Sequence, residues 1–398
     1  MNSAMVWVFC LSVAGFIYTQ VGYVALLVLV SRLVRWPVHR DSIRPFVSLI
    51  VPVHNGSGTI TRKIRNLRAL DYPPDLLEII VVDDCSSDST LAKIASECTA
   101  RASEREVADV RLSPPVRMVC LNDRCGKAAA LNVGLRVASG DVIGFTDVAA
   151  MLDPRSLAEA VERFADPTVG CVSSEDEIDA AGGVGASEGL YTRLDTLTRR
   201  LESDIGSATG CNGSFYLARR ELCPTFPLDV ATDMFSALYC VSKGYRAIVE
   251  PDSKVVLAAQ SSVGREFERK VRTMVTGLRA LRGFAGLLNP FRTGLYAVFL
   301  ASHKLVRYIT PFFVAAALAS SAYLALSSSV FMWLFYAEAA VLGIGVLQIV
   351  AQALTSRQGC AGVPAFFCAT TAAAVAGWYR FLRGERYEKW KPTERSLV

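Results

Sequence analysis

The sequence has little from which a metal centre of nitrogen and sulfur ligands or a disulfide framework could be built. It contains three histidines in 398 residues, and its eleven cysteines include no Cys-x-x-Cys pair. An odd number of scattered cysteines predicts neither a structural zinc site nor paired disulfides. We therefore expect the cysteines to be small apolar filling residues in a reducing compartment.

The sequence also lacks charged residues over several long stretches. No charged residue occurs from Met1 to Ser31, a stretch longer than the roughly 20 residues that an apolar helix needs to cross a bilayer core. Basic residues follow this stretch instead of preceding it, which does not fit a cleaved signal peptide. By the positive-inside rule they place the N-terminus outside and residue 32 onward in the cytoplasm. The net charge of +5 mostly reflects such membrane-flanking residues, so no nucleic-acid partner is expected.

The C-terminal third again lacks charge over three stretches. They are Tyr308 to Ala337, Ala339 to Ser356 and Gln358 to Tyr379, and each is predicted to form an apolar helix. Four crossings would put the basic tail outside, against the positive-inside rule. We therefore predict that residues 363–379 are interfacial or re-entrant and that the tail is cytoplasmic. Glu338, isolated among apolar residues, either faces a lipid channel or extends toward the interface.

The middle of the chain alternates apolar runs with amphipathic stretches. From about Val47, short β-branched runs that end in polar residues are separated by helical patterns, one of which opens near Lys127. This alternation is typical of a doubly wound α/β domain with both faces of the sheet covered. Ligands of such sheets bind beyond the carboxyl ends of the strands. The polar residues at those ends are His54, Asn55, Asp83, Asp84, Asn122, Asp123 and Asp147.

Several motifs occur in an order that resembles the family 2 glycosyltransferases with the GT-A fold. They are VPVHN, VVDDCSSDST, GKAAALNVGL, SGDVIGFTD, TGCNGSFYLARREL, DVATDMFSALYCVSKGYRAIVEP, EFERKVRT, SHKLVRYITPF and the tail WKPTER. No single motif is specific, whereas the ordered set covers nearly the whole chain. The pattern is similar to that of membrane-bound bacterial or archaeal enzymes that build cell-surface polysaccharides and lipid-linked glycans.

The resemblance implies where a nucleotide-sugar donor binds. Asp83 and Asp84 match the acid that accepts from the base or the ribose, and Pro52 with His54 matches the opposite wall. Lys127 matches a diphosphate contact, which suits an ammonium at a helix N-terminus. Other readings stay open, since DDCSSDST is also a helix-capping turn and Lys127 can be an ordinary surface lysine.

Asp233 and Arg272 match the residues that carry the transfer chemistry in this family. Asp233 corresponds to the base that takes the proton of the acceptor hydroxyl, and Arg272 to the cation that faces the leaving diphosphate. An acid in the first turn of a helix is also favoured by the helix dipole without catalysis, and a basic helix also suits anionic lipid. Thr273 stands where processive synthases carry a stacking tryptophan. Addition of one or a few sugars is therefore favoured over polymerisation.

The motif around Asp147 departs from the family pattern. In the resemblance, two acids separated by one residue hold a divalent cation that bridges the donor diphosphate, but the second position here is Ala149. Mg²⁺ commonly takes one or two carboxylates together with phosphate oxygens and water. We therefore predict that Asp147 alone holds Mg²⁺ or Mn²⁺ loosely. The alternative is that Lys127 and Arg272 neutralise the leaving group without metal.

Together these features predict a multi-pass enzyme of the cell membrane with a cytoplasmic GT-A domain. Its expected activity is inverting transfer from a nucleotide-diphosphate sugar, expected to be a UDP-sugar, to a lipid-linked or growing glycan acceptor. The rival is a catalytically degenerate subunit that binds nucleotide sugar or partners in a glycan-assembly complex. The predicted regions are a transmembrane helix (1–31), the GT-A domain (45–260), interfacial helices (261–304), transmembrane or re-entrant helices (305–382) and a cytoplasmic tail (383–398).

Overall fold

A computed structural model describes residues 2–104, 114–178, 186–257, 263–355 and 362–389. The tail motif WKPTER and Cys360 lie outside the described residues. The N-terminal apolar stretch forms α1 (Ser3–Ile17), a π-helical turn (Tyr18–Gly22) and α2 (Tyr23–Leu33). Because the three segments continue one another, they make a single apolar helix long enough to cross a membrane.

The central domain is built on eight strands. They are β1 (Val47–Val53), β2 (Leu77–Asp83), β3 (Val116–Cys120), β4 (Val142–Thr146), β5 (Ala150–Leu152), β6 (Val169–Ile178), β7 (Phe215–Arg219) and β8 (Arg246–Leu257). The helices between them are α3 (Ile60–Arg68), α4 (Thr90–Glu104), α5 (Lys127–Val137), α6 (Ser156–Val161), α7 (Ala186–Ile205) and α8 (Thr232–Ser242). The strands and the helix that the sequence predicted at Lys127 are confirmed.

The sheet is mixed, with the order β3-β2-β1-β4-β7-β6-β8-β5. The first four strands in this order are parallel, and β7 runs antiparallel to β4. The reason lies where β7 begins, because the Asp147 N–H donates to the Ser214 carbonyl at 3.0 Å. The chain thus enters β7 at the edge where β4 ends, and β7 must run back along it.

Apolar side chains are buried on both faces of the sheet. On one face Leu49 and Ile79 pack with Ile64 of α3, and on the other Ile50 and Phe145 pack with α5 and α8. Continuous apolar strands follow from this arrangement, because neither face meets water.

The remaining helices follow the sheet in the chain. They are α9 (Val263–Gly283), α10 (Pro290–Thr293), α11 (Leu295–Leu300) with a π-helical segment (Ala301–Val306), α12 (Thr310–Ala325), α13 (Ser329–Thr355) and α14 (Val363–Leu382). Among them, α12 packs against α1. A third buried cluster joins α2, α7, α8, α9 and α11 through Leu27, Ile205, Leu238, Leu281 and Leu300. This cluster packs the central domain against the apolar helices.

Two helices in the described residues are long and apolar enough to cross a membrane, Ser3–Leu33 and Ser329–Gln352. Leu295–Val306 and Thr310–Ala325 are bent by 61° and would count as a third span if taken together. The predicted division of the apolar region at Glu338 is wrong. The chain turns at 326–328 instead, and α13 continues through Glu338, whose Oε2 accepts a 2.7 Å hydrogen bond from Ser321 of α12.

The cysteines only partly fit the filling role predicted for them. Cys171, Cys211 and Cys240 are buried, whereas Cys10 and Cys125 are exposed. The ten described cysteines are all free in this structure.

Candidate active site

Two acids at the end of β2 have different hydrogen-bond partners. Both oxygens of Asp84 accept backbone N–H groups, from Cys125 at 2.7 Å and from Gly126 at 2.9 Å, so this carboxylate holds the loop that leads into α5. Asp83 accepts from the Ser86 N–H at 2.9 Å through Oδ2 alone, and its Oδ1 is buried without a partner. A buried acceptor without a donor is costly, so Asp83 is the acid with capacity for a ligand.

The other predicted wall of the donor site lies at the end of β1. Pro52 is buried within the strand, and His54 donates from Nδ1 to the Asp84 carbonyl at 2.8 Å. Asn55 follows with a φ of 50°, and its Oδ1 accepts from the Ser87 N–H at 2.8 Å. These bonds connect the loop after β1 to the loop after β2.

Lys127 and Asp147 form an ion pair. The Lys127 Nζ lies 2.5 Å from Asp147 Oδ1 and donates to the Gly213 carbonyl at 3.3 Å. Lys127 is the first residue of α5, where the hydrogen bonds of Asp84 place it, and Asp147 follows β4 directly. The structure therefore brings together the predicted phosphate contact and the predicted metal ligand.

Four of the predicted residues line one cavity of about 420 Å³, a size within the roughly 300–1,000 Å³ of small-molecule sites. They are Lys127, Asp147, Asp233 and Arg272. Pro52, His54, Asp83 and Asp84 lie outside its lining, at the neighbouring ends of β1 and β2. A ligand that contacts both regions would have to be elongated, with one end at Asp83 and the other in the cavity.

Asp233 lies in the first turn of α8, against the glycine-rich loop before β7. A Cβ at Gly213 would lie 3.2 Å from Asp233 Oδ2, so a side chain at that position would crowd the carboxylate. Asp229, four residues earlier, is instead paired with Arg279 at 3.0 Å. Of the two acids, Asp233 is therefore the one that faces the cavity.

Two guanidinium groups enter the cavity from α9. Arg269 and Arg272 are one helical turn apart and both line it. Burial lowers the pKa of Arg272 from its usual value, and the neighbouring Arg269 cation lowers it further. A pair of cations that repel each other in a partly buried place favours an anion between them. Thr273, at the position of the missing tryptophan, also lines the cavity.

Sequence reasoning missed four other residues of this cavity. They are Asp176 of β6, Lys304 of the π-helical segment, and Tyr387 and Glu388 after α14. The Glu388 carbonyl contacts Gly126, where an added Cβ would lie 1.9 Å from it. Only Lys304 had a recognisable signal, since a charge within an apolar region is typical of a functional residue.

The acidic side chains of the cavity are better suited to a loosely held cation than to a preformed metal site. No cluster of three or more histidine, cysteine or acidic side chains capable of holding a metal ion occurs in the part of the chain that the structure describes. Asp147 alone of the predicted pair can coordinate, and one of its oxygens faces Lys127. A single carboxylate suits Mg²⁺ or Mn²⁺ that arrives with diphosphate oxygens.

The family model described as glycosyl transferase family 2 matches residues 48–223. These residues form a family 2 glycosyltransferase domain. The match runs from β1 to the end of β7 and includes Asp83, Lys127 and Asp147, but not Asp233 or Arg272.

Two named proteins are similar to this chain in sequence. Poly-beta-1,6-N-acetyl-D-glucosamine synthase of Staphylococcus aureus (strain MSSA476) is 26% identical over 262 residues, which are 63% of this chain and 59% of the relative. Beta-monoglucosyldiacylglycerol synthase of Trichormus variabilis (strain ATCC 29413 / PCC 7937) is 27% identical over 213 residues, 51% of this chain and 42% of the relative. The chain thus spans less than two thirds of the length of either.

A solved structure matches the whole arrangement. The mannosyltransferase PcManGT from Pyrobaculum calidifontis, in complex with GDP-Man and Mn²⁺, superposes with a TM-score of 0.72 at 26% identity. The match covers 96% of this chain and 100% of the mannosyltransferase. The predicted GT-A fold of the family 2 domain is confirmed, together with the apolar helices at both ends.

Proposed function

We propose that this protein is a membrane-embedded, inverting glycosyltransferase. It transfers a sugar from a nucleotide-diphosphate donor to a lipid-linked or growing glycan acceptor of the cell surface. The observation that carries the proposal is the convergence of Asp147, Lys127, Asp233 and Arg272 on one cavity. A base, a phosphate cation and a carboxylate for a metal-bound diphosphate are the groups that glycosyl transfer needs.

The donor extends from Asp83 into the cavity. The unpartnered Asp83 Oδ1 accepts from the base or ribose, and Lys127 and Arg272 face the diphosphate. Asp84 contributes indirectly, because its two backbone hydrogen bonds set the start of α5 and hence the position of Lys127. The similar mannosyltransferase holds GDP-Man, so both UDP-sugars and GDP-sugars are candidate donors beside the UDP-sugar that the sequence predicted.

A divalent cation would be held by Asp147 and the donor diphosphate. Mg²⁺ or Mn²⁺ would supply positive charge next to the leaving group. The Mn²⁺ in the similar mannosyltransferase supports this assignment. Lys127, whose Nζ lies 2.5 Å from Asp147 Oδ1, would then balance part of the charge of Asp147 and of the diphosphate beside it.

Asp233 accepts the proton of the acceptor. The acceptor oxygen attacks C1 of the donor sugar, the C1–O bond to the diphosphate breaks, and the proton passes to the Asp233 carboxylate. The nucleoside diphosphate leaves with the bonding electrons beside Arg272. Attack opposite the leaving group inverts the configuration at C1.

Release of nucleoside diphosphate from a panel of UDP-sugars and GDP-sugars tests the activity on purified protein in membranes. Asp233→Asn should lower turnover roughly 10²-fold or more, the scale of a positioned base, while the donor still binds. Asp229→Asn makes the same chemical change outside the cavity and should retain turnover within a few-fold. Donor binding without release by the wild-type protein, with membrane acceptors present, would favour the non-catalytic alternative, which Ala149 and Thr273 support.

A further inference from the structure

Lys304 occupies an unusual place for a charged residue. It lies in the π-helical segment Ala301–Val306, between α11 and the bend that leads into α12. A π-helical insertion within a helix often marks a functional site, and an ionisable residue among apolar helices is retained at a cost.

The side chain of Lys304 reaches the cavity beside the base. A Cβ at Gly210 would lie 3.6 Å from Lys304 Nζ and 3.9 Å from the Cα of Met234, the residue after Asp233. Lys304 therefore lies near the first turn of α8, which carries Asp233. Lys127 and Arg272, which face the diphosphate, come from α5 and α9 instead.

The acids near Lys304 already have other partners. Asp195 pairs with Arg199 at 3.1 Å and with Arg307 at 2.8 Å, and Glu202 accepts from His303 Nδ1 at 2.8 Å. Burial would raise the pKa of Asp195, but Arg199 and its other cationic neighbours hold it well below the usual value. No carboxylate of the described chain lies within 4.0 Å of Lys304 Nζ, so Lys304 lines the cavity without an ion pair to any described acid.

The surroundings of Lys304 indicate what kind of anion it meets. The cavity that Lys304 lines is also lined by the apolar residues Val230, Ala231 and Met234, and the chain on both sides of Lys304 belongs to the apolar helices. An anion with a lipid attached fits a cation between an apolar wall and a membrane helix, whereas a free polar glycan offers nothing to that wall.

We propose that Lys304 binds the phosphate of a lipid-linked acceptor. This inference rests on the proposed function and narrows its acceptor to the phosphorylated lipid class. The ammonium donates to phosphate oxygens and positions the acceptor so that its hydroxyl lies at Asp233. Lys304 is thus a binding residue of the acceptor and has no role toward the donor.

Binding of farnesyl phosphate, farnesol and inorganic phosphate to the detergent-purified full chain tests this proposal by calorimetry. Farnesyl phosphate should bind the wild-type protein, and Lys304→Gln should weaken it about tenfold or more, as expected for a lost charge-assisted hydrogen bond. Lys304→Arg should restore most of the affinity. Lys270→Gln is the matched control, because Lys270 lies over the Phe366 ring at 4.0 Å and does not line the cavity.

Three results would overturn the proposal. The first is equal affinity of the wild-type protein and Lys304→Gln for farnesyl phosphate. The second is equal binding of farnesol or inorganic phosphate, which would remove the phosphate or the lipid from the assignment. The third is weakened UDP or GDP binding in Lys304→Gln, which would assign Lys304 to the donor. Binding of UDP or GDP by the wild-type protein separates failure of this inference from failure of the proposed function.

Discussion

At the residue scale, the ion pair of Lys127 and Asp147 affects how a cation binds at the motif in which Ala149 replaces the second acid. A second acid at position 149 would compete with Lys127 for positive charge and complete a two-carboxylate cation site. With Ala149 there, the carboxylate of Asp147 has a lysine at 2.5 Å as its partner. The charges of Lys127 and Asp147 therefore offset each other before any donor or cation enters.

Replacement of Ala149 measures the consequence for metal binding. Ala149→Asp should tighten Mn²⁺ binding in the presence of UDP or GDP about tenfold, because it restores a second anionic ligand. The free Mn²⁺ signal in electron paramagnetic resonance reports this binding without any turnover. Ala149→Asn introduces a side chain of the same size as aspartate but without its charge, and it should change Mn²⁺ binding little. If Ala149→Asp binds Mn²⁺ no better than Ala149→Asn, position 149 is not part of a metal site.

Lys63 is a second residue whose charge matters to this region. It is fully buried on α3, donates to Thr146 Oγ1 at 2.8 Å and also donates to the Ala150 carbonyl. It therefore ties both ends of the segment that carries Asp147. Burial lowers the pKa of Lys63 from 10.5 to about 7, although the Asp147 carboxylate acts in the opposite direction.

The lowered pKa of Lys63 predicts a pH dependence of stability. Between about pH 7 and 10.5 the unfolded chain holds a proton at Lys63 that the folded chain has lost, so the free energy of unfolding rises with pH. Below about pH 7 both states are protonated and the contribution is constant. Relative to Lys63→Met, the wild-type protein should gain on the order of 1 kcal/mol per pH unit from pH 7 to 9. Chemical unfolding of both proteins at several pH values checks this, and parallel curves would contradict it.

At the scale of elements, a buried polar cluster connects the N-terminal helix to the catalytic domain. The Tyr23 hydroxyl of α2 donates to Glu202 Oε1 of α7 at 2.8 Å, and the Thr209 N–H donates to Glu202 Oε2 at 3.2 Å. His303 of the π-helical segment bonds the same carboxylate. The helix α2, the loop at Thr209 and the π-helical segment therefore all bond the buried carboxylate of Glu202. Loss of one donor to this carboxylate should lower the stability of the folded protein.

Removal of one hydroxyl tests this connection. Tyr23→Phe should lower the stability of the detergent-solubilised protein by about 1–3 kcal/mol, because it leaves a buried carboxylate short of a donor. The midpoint of thermal unfolding measures the change. Tyr18→Phe is the control, since within the described residues the Tyr18 hydroxyl bonds the neutral Ser302 Oγ, at 2.7 Å, and the loss of this bond should cost less. Equal losses in the two variants would show that the charge of Glu202 does not matter.

At the scale of the whole molecule, the segment after α14 contacts the central domain. Arg279 of α9 donates to the carbonyls of Gly384 and Glu385 at 3.0 and 2.7 Å, and Glu388 lines the cavity. Residues 384–388 therefore lie against this domain. We propose from this contact that the tail lies on the same side of the membrane as the central domain and that residues 363–379 do not make a fourth crossing.

Epitope tags test this topology. A tag after Val398 should bind an impermeant antibody only once the cells are permeabilised, because the tail is proposed to be cytoplasmic. A tag before Met1, on the other side of the first apolar helix, should bind the antibody on intact spheroplasts. Binding of the C-terminal tag on intact spheroplasts would mean that the tail is outside, and the catalytic domain with it.

The sequence by itself determined the strands, their polar ends, the family resemblance and the apolar helices. These features depend on local composition and period, which survive without knowledge of distant contacts. Asp83, Lys127, Asp147 and Asp233 were recognisable because each follows a strand or opens a helix.

Only the tertiary structure decided which of those residues are already hydrogen-bonded and which of them face one another. It showed that Asp84 is occupied by backbone N–H groups while Asp83 keeps an unpartnered oxygen, and that Lys127 faces Asp147. It also brought Lys304 to Gly210 across more than ninety residues of chain. Such contacts depend on how helices pack against the sheet and the apolar bundle, and no local pattern of residues encodes that packing.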